Sequence, residues 1–521
     1  MEAIPSEHLA YHAPELSPPL IDGSVGEALL RSAAHFPDRQ AVAYADGDGI
    51  SAMSYADLAE AAMRVAWWLQ AFGNKGDTIA AWSRNSVEWV IFELGGALAG
   101  RVIAGWNPAW SDAECRHALE LTRPVLLLAG HDTRGISLLE RARDIAGAAV
   151  YALDDLQQLV ADARPSTLPE IVSSDLFLIQ FTSGTTGKAK GSSLSHRAAL
   201  NGAWLRVWAM AVDETDVLVN PSPMNHIGGA IHMLLGCVLT GACYVMMNRF
   251  DPSEYIRMMR LTGATQISGV PTILLAILDH PDRSPEAKLR SLASGGALVP
   301  EPLIERLTRE FEAPVFICYA QSEVAMISTT MVGDSARLLA TTVGRPAPHV
   351  ELKIAATGNG PTLRRGEVGE ICIRGPLTMD GYFGNPAATA DTIDAEGFVH
   401  TGDLGTLDDS GYLRIVGRCR DVIIRGGENI YPAEVEDALL EHPGIALAAV
   451  VGIPDERWGQ LVGAAVIPRN GHHLDPAELE TYLDGRVAHF KIPRRWLFVA
   501  QLPMTPSGKV RKVEVEPLFL A

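Results

Sequence analysis

The segment Phe181-Thr182-Ser183-Gly184-Thr185-Thr186-Gly187-Lys188-Ala189-Lys190-Gly191 concentrates the residue types needed to hold a chain of phosphates. Its glycines let backbone N–H groups turn inward, its serine and threonine hydroxyls add donors, and its two lysines add positive charge. The apolar run Leu176-Phe177-Leu178-Ile179 just before it predicts a strand that would present the loop. The arrangement is not a P-loop, because the spacing G-x-x-x-x-G-K-[ST] fails around Lys188. Taken as an isolated segment, the same residues also suit a polar surface loop.

Such a loop needs a scaffold, and the chain is long enough to supply one. Its 521 residues exceed the roughly 100–200 of a single domain. With 47% hydrophobic and 20% charged residues, the composition is that of a folded chain with ample core rather than a disordered one. A formal charge of −19 repels phosphate backbones, so nucleic acid is not expected as a partner, although a local basic pocket can still hold one small anion. Cys115, Cys237, Cys243, Cys318, Cys372 and Cys419 form no C-x-x-C pair, which speaks against zinc-ribbon and thioredoxin sites; their scatter fits a reducing compartment. The N-terminal residues lack the basic and apolar regions of a secretory signal. The apolar stretch 230–247 approaches bilayer length but contains His232, Gly236, Thr240 and Gly241. It reads as a helix stopped at Gly241 and followed by the strand Cys243-Tyr244-Val245, not as a transmembrane segment. A cytoplasmic location is therefore expected.

Residues 26–70 predict helices around a short loop, with Trp67-Trp68-Leu69 on an apolar face. From Thr78 onward, short apolar runs such as 124–129 and 217–219 alternate with helical stretches, which predicts layered α/β with mostly parallel sheet. Near residue 345 the texture changes: 351–354 and 370–374 alternate polar and apolar residues between frequent glycines and prolines, as half-exposed strands do. The last hundred residues or so predict a helix over 433–440, a strand over 446–451 and a helix over 476–483. The expected fold class is α/β: a large N-terminal domain (1–417) of layered α/β subdomains plus a β-rich subdomain (about 345–417), then a small mobile α+β C-terminal domain (418–521).

The loop does not stand alone. In order along the chain follow Pro223-Met224-Asn225-His226-Ile227-Gly228, Ser294-Gly295-Gly296-Ala297, Tyr319-Ala320-Gln321-Ser322-Glu323 and Gly344-Arg345-Pro346. Then come Thr401-Gly402-Asp403-Leu404-Gly405, Gly417-Arg418-Cys419-Arg420-Asp421, Gly426-Gly427-Glu428-Asn429-Ile430-Tyr431-Pro432 and Pro506-Ser507-Gly508-Lys509. From about residue 25 to the C-terminus this series resembles the adenylate-forming superfamily, which comprises acyl-CoA synthetases, peptide-synthetase adenylation domains and luciferases. The resemblance implies an enzyme that joins a carboxylate to the α-phosphate of ATP, releases pyrophosphate, and then passes the acyl group to a thiol, usually that of CoA, releasing AMP.

The roles implied by the resemblance are chemically sensible. Thr182, Ser183, Gly184, Thr185, Thr186, Gly187, Lys188 and Lys190 match the cradle of the β- and γ-phosphates. Glu323, assisted by Thr185, matches a Mg²⁺ ligand, as a lone carboxylate facing phosphates would be. Asp403 would accept hydrogen bonds from both ribose hydroxyls, and Arg418 would offer its planar fork to ribose or phosphate. Tyr319 would stack on adenine, with Ser294, Gly295, Gly296 and Ala297 along its other face and Ala320, Gln321 and Ser322 completing the motif. Lys509 would meet the α-phosphate during adenylation. The C-terminal domain would carry it in and then rotate about a hinge at Arg420 to admit CoA.

Four positions depart from the common pattern: Ala189 replaces a proline, Ala320 a glycine, Ile317 a residue often polar near adenine, and Arg420 an aspartate or lysine at the hinge. The acyl pocket is expected among Trp204, Trp208, Met224, Asn225, His226, Gly228, Ala320, Val324, Ala325 and Met326, which are mostly apolar. His226 would flank the carboxylate or the thiol exit, or be structural. The aspartate with which amino-acid-activating relatives hold an amine is absent near 225, so an apolar acid is expected, fatty, aromatic or polycyclic. Gly426 and Gly427 match the lining of the pantetheine tunnel, and Phe490, Lys491 and Arg494 offer an aromatic surface and charge to the CoA nucleotide. Free CoA leads as acceptor, ahead of a carrier-protein phosphopantetheine and of a relative that has lost catalysis. The expected substrates and cofactors are a small carboxylic acid, ATP, Mg²⁺ and CoA, and the chain could pair as a homodimer.

Overall fold

The computed structural model of the chain describes residues 8–147, 149–182, 188–283, 289–296, 299–426, 428–469, 471–504 and 510–520. It divides into two compact units: Ala13–Glu351 with Ile373–Val399, and Leu352–Cys372 with His400–Ala521 and the N-terminal residues to His12. The fold class is α/β, with mixed sheets covered by helices.

In the larger unit the short apolar runs become the buried centres of two sheets. Val102–Trp106, Thr78–Trp82 and Leu126–Ala129 lie parallel in a seven-stranded sheet whose Val102–Trp106 and Thr78–Trp82 are buried at every residue. Val217–Asn220, Gln266–Ser268, Ser291–Gly295 and Val315–Gln321 lie parallel in a nine-stranded sheet. One continuous core joins faces of both sheets through the helices Val87–Leu98, His196–Ala209 and Gly228–Leu235. Burial on both sides explains why these elements read as unbroken apolar runs.

Two local outcomes bear on the sequence reading. The helix stop at Gly241 is present: the residue adopts φ +78 after the helix Gly236–Thr240, and the strand Cys243–Met246 follows. Among the described residues no helix is long and apolar enough to cross a membrane. The connection between the first two helices, however, is not a short loop. Val25–His35 and Tyr55–Leu69 flank a hairpin of Gln40–Asp46 and Gly49–Ser54, turned at Gly47 with φ +54. The hairpin extends the nine-stranded sheet, with Val42 opposite Tyr244. Its alanines hid the strand, whereas the Asp46-Gly47-Asp48-Gly49 turn was the available signal.

The smaller unit holds two five-stranded sheets. In the first, Val399–Leu407 and Leu413–Arg418 run antiparallel at one edge. The second pairs the long strands Ile445–Asp455 and Gly459–Pro468 and is packed by the helices Pro432–Leu440 and Pro476–Leu483 over Val435, Leu439, Val450 and Leu479.

Candidate active site

The phosphate-loop segment is held by its two feet. Leu176–Thr182 and Lys190–Ser195 form an antiparallel pair in which Thr182 lies directly opposite Lys190. His117, from the helix Asp112–Thr122, donates its Nε2–H to the Ala189 carbonyl (2.8 Å), and Phe181 packs edge-on against Trp110. Ser183, Gly184, Thr185, Thr186 and Gly187 lie outside the described residues.

Glu323 stands at the tip of the turn between Val315–Gln321 and Val324–Thr329. Three hydrogen bonds tie that tip to the loop's sheet. Ser192 Oγ donates to the Ser322 carbonyl (2.8 Å), Met379 N–H donates to the Glu323 carbonyl (2.8 Å), and the Tyr382 hydroxyl donates to Glu323 Oε1 (2.8 Å). Tyr382 pairs with Ser192 across the sheet edge, and the Lys190 ammonium sits 4.7 Å from its ring centroid. Burial first, and then the Glu323 charge, push the Tyr382 phenol well above its ordinary range, so it remains a donor. The structure thus brings Thr182, Lys190 and Glu323 to one place and adds Tyr382, which the sequence reading did not select.

Tyr319 is buried on the strand beside Ser291–Gly295, where Gly295 pairs with Cys318. A Cβ on Gly295 would fall 2.6 Å from the Cys318 carbonyl oxygen, so only glycine allows the two backbones this close. Gln321 Nε2 donates to the Tyr319 hydroxyl (3.3 Å), and Ser294 Oγ donates to the Gly269 carbonyl (3.0 Å). Gly296 has φ +77, and Ala297 lies outside the described residues.

The residues expected at the acyl pocket sit on three elements. Met224 is buried and its N–H donates to Asn85 Oδ1 (2.7 Å); the Asn225 carbonyl accepts from Gln180 Nε2. His226 is exposed, and its Nδ1 accepts from Gly228 N–H (3.1 Å). Val324 and Ala325 are fully buried, and the Ala325 carbonyl accepts from His232 Nε2–H (2.7 Å). Trp204 donates its indole N–H to Pro19 (3.2 Å), and Trp208 is largely exposed.

In the smaller unit, Asp403 and Arg418 face each other across neighbouring strands, with Nε 3.1 Å from Oδ1. The aspartate is buried and the guanidinium half exposed. Glu370 braces the bend before it: one carboxylate oxygen accepts from Gly402 N–H (3.1 Å) and the other bonds His400 Nδ1 (2.8 Å). Farther along, Gly426 takes φ +62 and donates its N–H to the Trp458 carbonyl (2.8 Å); the Trp458 ring lies between the Arg425 and Arg457 guanidiniums at 5.2 and 5.1 Å. Lys491 is committed to Glu434 (2.6 Å), while Arg494 reaches His489 (3.0 Å) and Glu480 (3.6 Å). Arg420 lies in the 3₁₀ turn Cys419–Asp421. Gly427 and Lys509 lie outside the described residues.

The family model for AMP-binding enzymes matches residues 29–383, and that for the AMP-binding enzyme C-terminal domain matches residues 434–509. The chain is an AMP-binding enzyme. Its similarity to individual members runs nearly end to end. It is 35% identical to the 3-[(3aS,4S,7aS)-7a-methyl-1,5-dioxo-octahydro-1H-inden-4-yl]propanoyl:CoA ligase of Rhodococcus jostii (strain RHA1), over 93% of this chain and 96% of that ligase. The crystal structure of ATP-bound MatB from Rhodopseudomonas palustris superposes with a TM-score of 0.87 at 29% identity, covering 95% of this chain and 99% of that one. The o-succinylbenzoate CoA synthetase MenE of Bacillus subtilis, in complex with its acyl-adenylate intermediate OSB-AMP, gives 0.84 at 30% identity, covering 95% and 99%. Within this AMP-binding enzyme, the groups that a reading of motifs alone missed are His117, Tyr382, Glu370 and Trp458. Each acts on a motif residue from a distant stretch of chain, a contact that short-range sequence signals do not encode.

Proposed function

We propose that the chain is an AMP-forming acid–thiol ligase. It joins a carboxylic acid to the α-phosphate of ATP with release of pyrophosphate, then transfers the acyl group to CoA with release of AMP. The observation that carries this reading is the convergence of Thr182, Lys190 and Glu323 through Tyr382, in a chain that belongs to the AMP-binding enzymes and resembles CoA ligases along almost its whole length.

In this reading the loop 182–190 holds the β- and γ-phosphates, Tyr319 and Gly295–Gly296 flank adenine, and Asp403 with Arg418 holds the ribose. Lys509 meets the charge that builds on the α-phosphate. Glu323 offers hard carboxylate oxygens, which suit Mg²⁺; with Thr185 it would hold the ion, whose chemistry is to neutralise charge on the triphosphate. Gly426, Gly427 and the Arg425–Trp458–Arg457 surface would receive CoA, since aromatic faces and guanidiniums suit its nucleotide. The location is the cytoplasm, in keeping with cysteines that are all free thiols.

The test is incubation with ATP, Mg²⁺, CoA and a panel of acids, scored by pyrophosphate release and acyl-CoA mass. Acids with a predominantly apolar body are expected to give product and free α-amino acids none. Pyrophosphate release with an α-amino acid in preference to all others would overturn the pocket assignment.

The two half-reactions require the C-terminal domain, residues 418–521, to change pose about Arg420. Proline suits the φ of a 3₁₀ turn but fixes it, so Arg420→Pro is expected to retain acyl-adenylate formation and lose most CoA transfer. Arg420→Ala should be mild, because the position needs freedom more than a particular side chain. Single-turnover assays of each half-reaction check this; unimpaired thioester formation in the proline variant would place the pivot elsewhere.

A further inference from the structure

Arg206 is a buried cation without a counter-charge. It lies in the last turn of the helix His196–Ala209 and is only 5% exposed. Among the described residues it makes no ion pair, and its Nη1 has no hydrogen-bond partner; the guanidinium reaches the Cys318 thiol, with Cys237 nearby. His232 supplies no negative charge either. Burial and the Arg206 charge drive its pKa down to about 3, so the ring is neutral and gives its Nε2–H to Ala325. A guanidinium removed from water without an anion is strongly unfavourable, and proteins rarely keep one that nothing ever pairs.

Its position indicates what pairs with it. One turn earlier on the same helix face, Gly202 presses on Ala325 so closely that a Cβ there would fall 2.5 Å from the Ala325 Cβ. On the strand Val315–Gln321, Cys318 pairs with Gly295, and the pairing with Val324–Thr329 is irregular between Tyr319 and Gln321. Ala320 adjoins the Ser322–Glu323 turn, where the reacting carboxylate is activated in the function proposed above. Cys318 is two residues farther from that turn, about 7 Å along the strand. Arg206 therefore stands one helical turn beyond the Gly202–Ala325 contact and beside Cys318, away from the Ser322–Glu323 turn.

We propose that Arg206 marks the far end of the acyl site, and that the acid activated by this chain carries an oxygen acceptor, a carboxylate or a ketone, remote from the carboxylate that reacts. The inference rests on the ligase reading. The body of the acid remains apolar, matching Val324, Ala325 and Met224, while the distal oxygen receives the Nη1–H of Arg206 that no described residue accepts. A site built around such donors discriminates strongly against an acid lacking the oxygen.

The experiment compares acids of matched length ending in carboxylate, methyl ketone or plain alkyl, with the full chain, ATP, Mg²⁺ and CoA. The oxygenated acids are expected to show kcat/KM on the order of 10²-fold or more above the alkyl acid. Arg206→Met should abolish that preference without lowering Tm, because it removes an unpaired buried charge; Arg206→Lys should keep part of it. Equal use of all three acids by the wild-type chain, or a preference that survives in Arg206→Met, would overturn the distal site while leaving the ligase reading intact. A lowered Tm in Arg206→Met with the wild-type chain indifferent to the distal group would assign the arginine to the fold instead. Absence of acyl-CoA from every acid would overturn both readings.

Discussion

Glu323→Gln is expected to slow acyl-adenylate formation by on the order of 10²–10³ while leaving the fold intact. The substitution is nearly isosteric. The amide oxygen can still accept from the Tyr382 hydroxyl, and the backbone bond from Met379 to the 323 carbonyl is unaffected, so the turn between the two strands stays pinned. What disappears is one negative charge beside the phosphate loop, in a place where charge is arranged before the reaction begins. Loss of one such preorganised electrostatic group corresponds to about 2.7–4 kcal/mol of transition-state stabilisation. Single-turnover pyrophosphate release measures the effect, and the Mg²⁺ concentration needed for half-maximal rate should rise with it. Tyr382→Phe provides the contrast. It removes the hydrogen bond but not the charge, so its effect should be about tenfold or less, comparable to losing one orienting hydrogen bond. If Glu323→Gln and Tyr382→Phe slowed the reaction equally, Glu323 would be acting as a latch for the turn rather than through its charge.

The same pair shows what could be seen in the sequence and what could not. Glu323 was legible because it closes a motif whose neighbours, Tyr319 to Ser322, are contiguous. Tyr382 lies 59 residues away and reaches Glu323 only because Gly381–Tyr382 pairs at the edge of Lys190–Ser195. Strand pairing of that kind is decided by sheet order, which local periodicity does not encode. The central strands were equally legible, since Val102–Trp106 and its neighbours are buried on both faces and so form continuous apolar runs. The hairpin over 40–54 was not, because alanine-rich strands carry little β-branched or aromatic signal. Arg206 escaped for a different reason. A single arginine in an apolar helix normally extends its head to water, and here it is buried because that helix packs against Gly228–Leu235 as well as Val324–Thr329. An apolar helix face was therefore the natural expectation, and the buried cation became visible only in three dimensions.

Lys509→Ala is expected to slow adenylation by on the order of 10²–10³ and to leave thioester formation from supplied acyl-adenylate largely intact. The sequence Pro506-Ser507-Gly508-Lys509 matches the family's pattern. The chain on either side of it is well anchored: Met504 and Val510 form an antiparallel bridge, and Arg511 N–H donates to the Pro503 carbonyl (2.9 Å). A lysine between such anchors can act as one defined point charge. During attack by the carboxylate, negative charge grows on the α-phosphoryl group, and an ammonium placed there stabilises the transition state more than the ground state. Under the function proposed above the C-terminal domain carries the lysine away before the second half-reaction, so it has little to contribute there. The two steps therefore separate. Pyrophosphate release in a single turnover should collapse in Lys509→Ala, while acyl-CoA formation from synthetic acyl-adenylate and CoA should run near the wild-type rate. Lys509→Arg should recover only part of the first step, because a planar fork does not reproduce a compact ammonium. A parallel fall in both half-reactions would assign Lys509 to domain docking or stability rather than to the α-phosphate, and an unchanged adenylation rate would remove it from the chemistry altogether.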